Sequence, residues 1–237
     1  LTDTAAYSYG DYPCAKNHHY FADTVYYEED IFTGYRYFET IKSAKDKVAF
    51  PFGHGLSYTD FRISDVKLFE NGEEIEISFD VTNIGDRSGK EVVQIYSNRK
   101  DAVNRPASEL RAFKKTRLLK PNETQSEILK IKKCELKEFD EKQGAWILKK
   151  GVYSFFIGNS IRNTVLAGSF EQKKDEILLK TGSLLNCKLP SRLSSDGSIS
   201  KENAFDKRDF AKKSCKCEFT SPALLSKKHG DHTLYDA

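Results

Sequence analysis

One strictly alternating stretch decides the fold of this chain: Glu74-Ile75-Glu76-Ile77-Ser78-Phe79-Asp80-Val81. Apolar side chains occupy every second position, and charged or polar side chains occupy the positions between them. Successive side chains of a β-strand point to opposite faces of the sheet, so a period of two is typical of a strand with one buried and one solvated face. The stretch therefore predicts a strand that lies against an apolar core.

The segments on either side of this strand repeat the pattern. Asn83-Ile84-Gly85-Asp86 supplies a turn, and a return strand is predicted from Glu91 to Tyr96. Apolar positions mark further strands at Leu129 and Ile131, at Tyr153, Phe155 and Ile157, and at Leu166 and Phe170. Short strands separated by turn signals at intervals of roughly ten residues favour a β-sandwich. Within it, Gly151-Val152-Tyr153 predicts a tyrosine corner, in which the phenol ties a loop to the backbone.

Composition excludes several classes of protein. The chain has 237 residues, enough for one or two domains, and its 38 Lys and Arg against 35 Asp and Glu give a net charge of only +3. Nucleic-acid ligands usually meet concentrated basic patches, so no nucleic-acid partner is expected. No run of about 20 apolar residues is present, so no membrane span is predicted. The number of cysteines is odd and they are scattered, which favours a reducing compartment such as the cytoplasm and argues against a disulfide-stabilised secreted protein. The five cysteines are Cys14, Cys134, Cys187, Cys215 and Cys217.

The segment before the sandwich carries two aromatic and glycine-rich motifs. The first runs from Glu29 to Phe38, and the second reads Phe50-Pro51-Phe52-Gly53-His54-Gly55-Leu56-Ser57-Tyr58-Thr59. Together they resemble the junction in glycoside hydrolase family 3, the β-glucosidase and β-xylosidase family, where a flavodoxin-like α/β sandwich domain passes into a fibronectin type III-like β-sandwich. The resemblance continues through Val81 to Tyr96, Arg105 to Lys115 and Lys150 to Tyr153, and so extends over residues 1–172.

The resemblance implies an order of domains. Residues 1–60 would be the remnant of the α/β domain with its junction, residues 61–172 the immunoglobulin-like, fibronectin type III-like sandwich, and residues 173–237 a polar, partly disordered tail. A short strand at Glu176 to Lys180 and a helix around Glu202 to Lys212 are predicted within this tail.

The resemblance also implies which groups are missing. Retaining glycoside hydrolysis needs two carboxyl groups about 5 Å apart. In the family, the nucleophilic aspartate lies on a (β/α)8 barrel, and the acid/base glutamate lies in the α/β domain upstream of the segment matched here. No Asp or Glu of this chain stands in either context, so no catalytic, cofactor or metal residues are predicted. The chain, which starts at Leu1 without Met, is expected to be the non-catalytic C-terminal portion of a longer β-glycosidase. The missing domains would be its packing partners and would bind the oligosaccharide or glycoside.

Several residues of the junction could be taken for functional groups. His54 lies between two glycines, but the family accepts Tyr there, so no histidine chemistry is expected. Gly53 and Gly55 permit φ angles that other residues avoid, and Phe50, Phe52 and Leu56 are expected to anchor the turn in apolar surroundings. The many tyrosines of residues 1–60 can form a sugar platform, but they better suit contacts that join domains.

Other candidates are interpreted structurally. Trp146, the single tryptophan, is expected to be a core or interface plug, and the cluster of Lys114, Lys115 and Arg117 a solvated strand face. Zinc fingers usually separate paired cysteines by two to four residues and paired histidines by three to five. The potential ligands in the tail are separated by one and two residues, so no zinc site is predicted there; they are Cys215, Cys217, His229 and His232.

Two alternatives stay open at this point. The sandwich could be a stand-alone carbohydrate-binding or adhesion module, with aromatic residues as the sugar platform. It could also be a non-catalytic scaffold subunit that completes another chain. The junction motifs favour the glycosidase portion, because a free-standing module would not need a connection to an α/β domain.

Overall fold

The computed structural model describes residues 6–16, 28–181 and 192–200. Its strands are β1 (Phe61–Asn71), β2 (Glu74–Asn83), β3 (Val92–Arg99), β4 (Glu109–Lys115), β5 (Thr124–Lys132), β6 (Glu138–Asp140), β7 (Ala145–Leu148), β8 (Gly151–Ser160), β9 (Asn163–Gln172), β10 (Glu176–Lys180), β11 (Arg192–Leu193) and β12 (Ile199–Ser200). The α-helix is α1 (Tyr35–Thr40), and 3₁₀ helices span Tyr9–Asp11, Pro13–Lys16, Lys42–Lys47 and Lys133–Leu136. None of these helices has the length and hydrophobicity needed to cross a lipid bilayer.

Two antiparallel sheets form a β-sandwich, which confirms the predicted fold. One sheet has the order β1-β2-β5, and the other has the order β4-β3-β8-β9. Strand β2 lies in the middle of the first sheet and is paired with β1 on one side and β5 on the other. Ile75, Ile77, Phe79 and Val81 are all buried, as the period of two predicts.

The core lies between the two sheets. The buried side chains of β2 and Ile131 of β5 meet residues from the facing sheet. These are Val93, Ile95, Tyr153, Phe155, Ile157 and Phe170, all 4% exposed or less. Leu166, which marked the last predicted strand, lies on β9 but is exposed. Apolar burial on this scale is the main favourable term in folding, and it comes here from strands distant in sequence.

Strand β1 was not predicted, because its sequence does not alternate cleanly. Asp65 has a φ of +53°, and the register with β2 shifts between Ser64 and Lys67. An extra residue of this kind is a β-bulge, which moves the following side chains to the opposite face. Ile63, Val66 and Leu68 can therefore all pack against the core although their spacing is irregular.

A third, small sheet with the order β10-β7-β6 lies beside the sandwich. The predicted strand from Glu176 to Lys180 is confirmed as β10, which pairs with β7. Trp146 of β7 is only half-buried: its ring lies 5.4 Å from that of Phe139, and the Lys137 ammonium lies 5.5 Å from its centre. Trp146 is therefore a packing residue of this sheet and not a plug of the main core.

Tyr153 forms the predicted tyrosine corner. Its hydroxyl donates a hydrogen bond of 2.8 Å to the carbonyl oxygen of Lys149, four residues earlier. Burial, with a smaller contribution from the Glu138 carboxylate, raises the pKa of Tyr153 to about 12. The phenol therefore stays protonated at neutral pH and remains a donor for the loop between β7 and β8.

A hairpin formed by β11 and β12 contacts the segment that begins at Glu28. Leu193 is 4% exposed, and its N–H donates to the Glu28 carbonyl oxygen at 2.7 Å. The Ser195 N–H donates to the Asn104 side chain at 2.8 Å. This part of the predicted polar tail is thus tied to other segments of the protein, and the predicted helix around Glu202 to Lys212 lies outside the described residues.

Candidate functional site: the junction segment

The junction segment, defined as residues 28–60, has a small apolar core of its own. Phe38 and Ile41 are buried at the end of α1, and Tyr12 and Tyr37 pack beside them. The remaining members of this cluster are Ala6, Ala44 and Val48. The backbone of Ala6 bridges that of Val48, so the cluster joins residues 6–16 to the junction segment.

The junction segment lies on the outer face of the four-stranded sheet. The hydroxyl of Tyr35 accepts a hydrogen bond of 3.1 Å from the Leu110 N–H on β4. The rings of Tyr35 and Phe52 stack with centres 4.2 Å apart. The Ile161 N–H, beyond the end of β8, donates to the Phe52 carbonyl oxygen at 3.0 Å. Aromatic stacking and backbone hydrogen bonds therefore fix the same part of the segment.

Ionic contacts secure the helical part of the segment. The Arg162 guanidinium pairs with Glu39 at 2.8 Å and donates to the Lys45 carbonyl oxygen at 2.7 Å. Arg36 pairs with Glu109 of β4 at 3.2 Å. The Glu39 side chain is only 8% exposed, so this pair is shielded from solvent more than a surface pair is. These contacts hold α1 against both ends of the sheet.

A buried amide of the sheet also contacts the junction segment. The side-chain nitrogen of Gln94 on β3 donates hydrogen bonds to the carbonyl oxygens of Gly53, at 3.1 Å, and Asn159, at 2.7 Å. The side-chain oxygen of Gln94 accepts a hydrogen bond of 2.5 Å from the Tyr96 hydroxyl. Burial raises the pKa of Tyr96, so this hydroxyl stays a donor. Gly53 has a φ of +79°, and a Cβ atom there would lie 2.0 Å from the Gln94 side-chain oxygen. Only glycine therefore fits at this crossing.

A second buried amide fixes the end of the segment. The Thr59 hydroxyl donates to the Asn83 side-chain oxygen at 2.7 Å, and the Gly85 N–H donates to the same oxygen at 3.1 Å. The Asn83 amide nitrogen donates to the carbonyl oxygens of Arg87 and Leu119. Asn83 is fully buried, so this network connects the junction segment, the turn after β2 and the loop before β5.

The expected anchors of the turn are not buried, and that expectation was wrong. Phe50 is 58% exposed, Phe52 is 40% exposed, and Leu56 is 93% exposed. Gly53 adopts the positive φ angle foreseen for the turn, but Gly55 does not. The turn is held by polar contacts at Gly53 and Thr59 and by the stacking of Phe52 on Tyr35, whereas Leu56 faces solvent.

The other predicted candidates lie apart from these contacts. His54 is exposed, with its ring stacked on Phe50 at 5.3 Å. Lys114, Lys115 and Arg117 lie on an exposed face, as predicted, and Lys114 pairs with Glu127 at 2.6 Å. The four potential zinc ligands of the tail lie outside the described residues. Within the described part, no three His, Cys, Asp or Glu side chains come together in a metal-binding group.

Comparison with known proteins agrees with this geometry. A profile of the fibronectin type III-like domain matches residues 91–161. β-Glucosidase A of Butyrivibrio fibrisolvens is 40% identical over 219 residues, which cover 83% of this chain and 26% of that protein. A β-glucosidase of Ruminococcus albus is 41% identical over 169 residues, covering 69% of this chain and 17% of that protein. The chain belongs to glycoside hydrolase family 3.

Solved structures of β-glucosidases show the same relation. A β-glucosidase of Paenibacillus barengoltzii superposes with a TM-score of 0.70 at 35% identity, covering 85% of this chain and 24% of that one. β-Glucosidase 3B of Thermotoga neapolitana, solved with glucose, gives a TM-score of 0.65 at 36% identity, with coverages of 71% and 24%. The chain therefore spans about a quarter of the length of these two relatives.

Proposed function

We propose that this chain is the non-catalytic, C-terminal portion of a retaining family 3 glycosidase that cleaves terminal β-linked glucosides or xylosides. Its role in that enzyme is to hold the catalytic portion in place through the junction segment. The observation that carries this proposal is the two-sided character of the junction segment. One side is bonded to the sandwich through Gly53 and Thr59, and the other side presents Leu56 and Tyr58 at 93% and 91% exposure.

The exposed side chains favour a docking role. Fully burying a Leu side chain contributes about 1.5–3 kcal/mol, so a rigid turn that displays one has a large gain available on contact. The turn is already ordered by the hydrogen bonds at Gly53 and Thr59, which lowers the entropy lost on docking. The catalytic portion of a family 3 enzyme is the occupant that fits, because the relatives are longer than the matched region.

The chemistry would come from that catalytic portion. Retaining hydrolysis requires a nucleophilic carboxylate and an acid/base carboxylic acid on opposite sides of the scissile bond. Several carboxylates of the sandwich surface are held in ion pairs, such as Glu127 with Lys114 and Glu76 with Lys130. We therefore assign no catalytic, cofactor or metal residue to this chain.

The isolated chain is expected to be inactive on chromogenic aryl β-glucosides and aryl β-xylosides. Hydrolysis should not exceed the rate in buffer, because the proposal places both catalytic carboxylates in the remainder of the enzyme. The measurement is release of the aryl alcohol over hours at several pH values. Turnover that disappears on substitution of a single Asp or Glu of this chain would overturn the proposal.

The exposed turn is expected to make the isolated chain self-associate. Replacing Leu56 and Tyr58 together by Ser should shift the sedimentation profile towards the monomer, because large exposed apolar patches promote association. Ile128→Ser is the matched control, since Ile128 is also exposed, at 54%, but lies on β5 away from the turn. Equal profiles for the parent chain and the double variant would argue against docking through this turn.

A further inference from the structure

A charged groove lies on the side of the sandwich next to the small sheet. It is lined by the loop after β3, by β6 and by the segment between β7 and β8, and its volume is about 650 Å³. A smaller cavity of about 290 Å³ adjoins it and shares Arg99, Asp101 and Arg105 with it. Ligand pockets commonly have volumes of about 300–1,000 Å³. The larger cavity therefore has the volume of a ligand pocket.

The charges of the groove are balanced and held in fixed positions. Arg99 donates to both oxygens of Glu138, at 2.9 and 3.2 Å, and Arg105 pairs with the same carboxylate at 3.0 Å. Lys149 pairs with Asp140 at 2.8 Å and with Asp175 at 3.3 Å. The hydrogen bond from Lys149 holds the pKa of Asp140 below its usual range, so this carboxylate stays charged at neutral pH.

This arrangement favours a neutral ligand over an ion. Five cationic and four carboxylate side chains line the larger cavity, so no strong field of one sign attracts a phosphate or a cation. A guanidinium has five N–H donors and a carboxylate about four acceptor sites, which is more than Arg105 and Glu138 use in their contacts with protein groups. Neighbouring hydroxyl groups of a sugar can donate to a carboxylate and accept from a guanidinium at the same time.

Phe139 adds the apolar part of such a site. It lines the groove beside Glu138 and Asp140, and its ring is half-buried, with the indole of Trp146 5.4 Å away. A pyranose ring has an apolar C–H face and a polar hydroxyl rim. The face can stack on Phe139 while the rim reaches the charged side chains, an arrangement that combines aromatic contact with oriented hydrogen bonds.

We propose that this groove is a non-catalytic binding site for a neutral β-linked gluco-oligosaccharide. The choice of a glucose polymer rests on the proposed function, whereas the site itself rests on the balanced ion pairs and Phe139. Phe139 supplies the stacking surface, Arg105 and Glu138 bind hydroxyl groups at the centre, and Asp140 with Lys149 binds them at the other end. The site would retain substrate near the enzyme without taking part in bond cleavage.

The single tryptophan provides the test. Trp146 is the only Trp of the chain and lies beside Phe139, so titration of the full chain with cellotetraose should give a saturable change in fluorescence. Calorimetry of the same titration gives the association constant without relying on the indole. Phe139→Ala should weaken binding about tenfold, the effect of losing an aromatic contact. Phe69→Ala, on β1 of the far sheet and 52% exposed, should leave binding unchanged.

A second variant and the salt dependence of binding test the proposal further. Arg105→Ala, in the loop after β3, should also weaken binding, and raising sodium chloride from about 0.05 M to about 0.5 M should have little effect on a neutral ligand. Absence of saturable binding, equal affinity in Phe139→Ala, or binding confined to a polyanion such as heparin would each overturn the proposal. These outcomes are independent of hydrolysis and of self-association, so they leave the test of the proposed function separate.

Discussion

Phe79→Ala should lower the free energy of unfolding by about 3–5 kcal/mol, the range found when a buried Phe is truncated to Ala. Phe79 lies on the central strand β2, is 2% exposed, and belongs to the cluster between the two sheets. Both neighbouring strands are paired with β2, so the surrounding backbone cannot close readily around the cavity. Urea denaturation followed by far-ultraviolet circular dichroism measures the change.

Phe69→Ala is the control for this experiment. Phe69 lies on the adjacent strand β1 but is 52% exposed, so its truncation should change the free energy of unfolding by about 1 kcal/mol or less. A small loss for Phe79→Ala, similar to that of the control, would contradict the position of the core between the two sheets.

Asn83→Ala should lower the free energy of unfolding by about 2–4 kcal/mol, because it leaves several buried polar groups without partners. The substitution removes the acceptor for Thr59 and Gly85 and the donor for the carbonyl oxygens of Arg87 and Leu119. An unpaired buried group costs more than the net contribution of the hydrogen bond it replaces. Thermal or urea unfolding of the full chain measures the loss.

Asn71→Ala is a matched control of the same residue type. Asn71, at the end of β1, is exposed and makes a hydrogen bond of 3.2 Å to Glu76, so its removal should cost about 0.5 kcal/mol or less. If Asn83→Ala were as mild as Asn71→Ala, the amide network would not be what joins the junction segment to the sandwich. Retained binding of cellotetraose by both variants would show that the groove is unaffected.

The strands that could be predicted are those whose burial is regular. The alternation from Glu74 to Val81 is visible in the amino-acid sequence because β2 has one face in the core along its whole length. Strand β1 escaped prediction because the bulge at Asp65 breaks its period, and β6 and β7 escaped because they are short. A periodic signal needs uniform burial over several residues, which these strands lack.

The candidate site also has features that the sequence predicted and features that it did not. The motifs around Gly34 and Gly53 marked the junction segment, and the positive φ angle of Gly53 followed from its turn. The exposure of Leu56 and the burial of Asn83 and Gln94 did not follow, because an apolar side chain can stay exposed on a folded chain and an amide can be buried when its polar groups are paired. Nothing in the local sequence of Glu138 reveals that Arg99 and Arg105 meet there.

The sequence by itself determined the β-sandwich and the tyrosine corner at Tyr153, because these depend on periodic burial and on local turn chemistry, and its junction motifs carried the resemblance to family 3. Only the tertiary structure decided which polar groups meet. Gln94 reaches Gly53 from 41 positions away in the chain, and Arg99 reaches Glu138 from 39. Such contacts form only when strand pairing and sheet packing bring distant segments together. The orientation of the junction segment and the charged groove are therefore properties of the folded chain and not of any one stretch of its sequence.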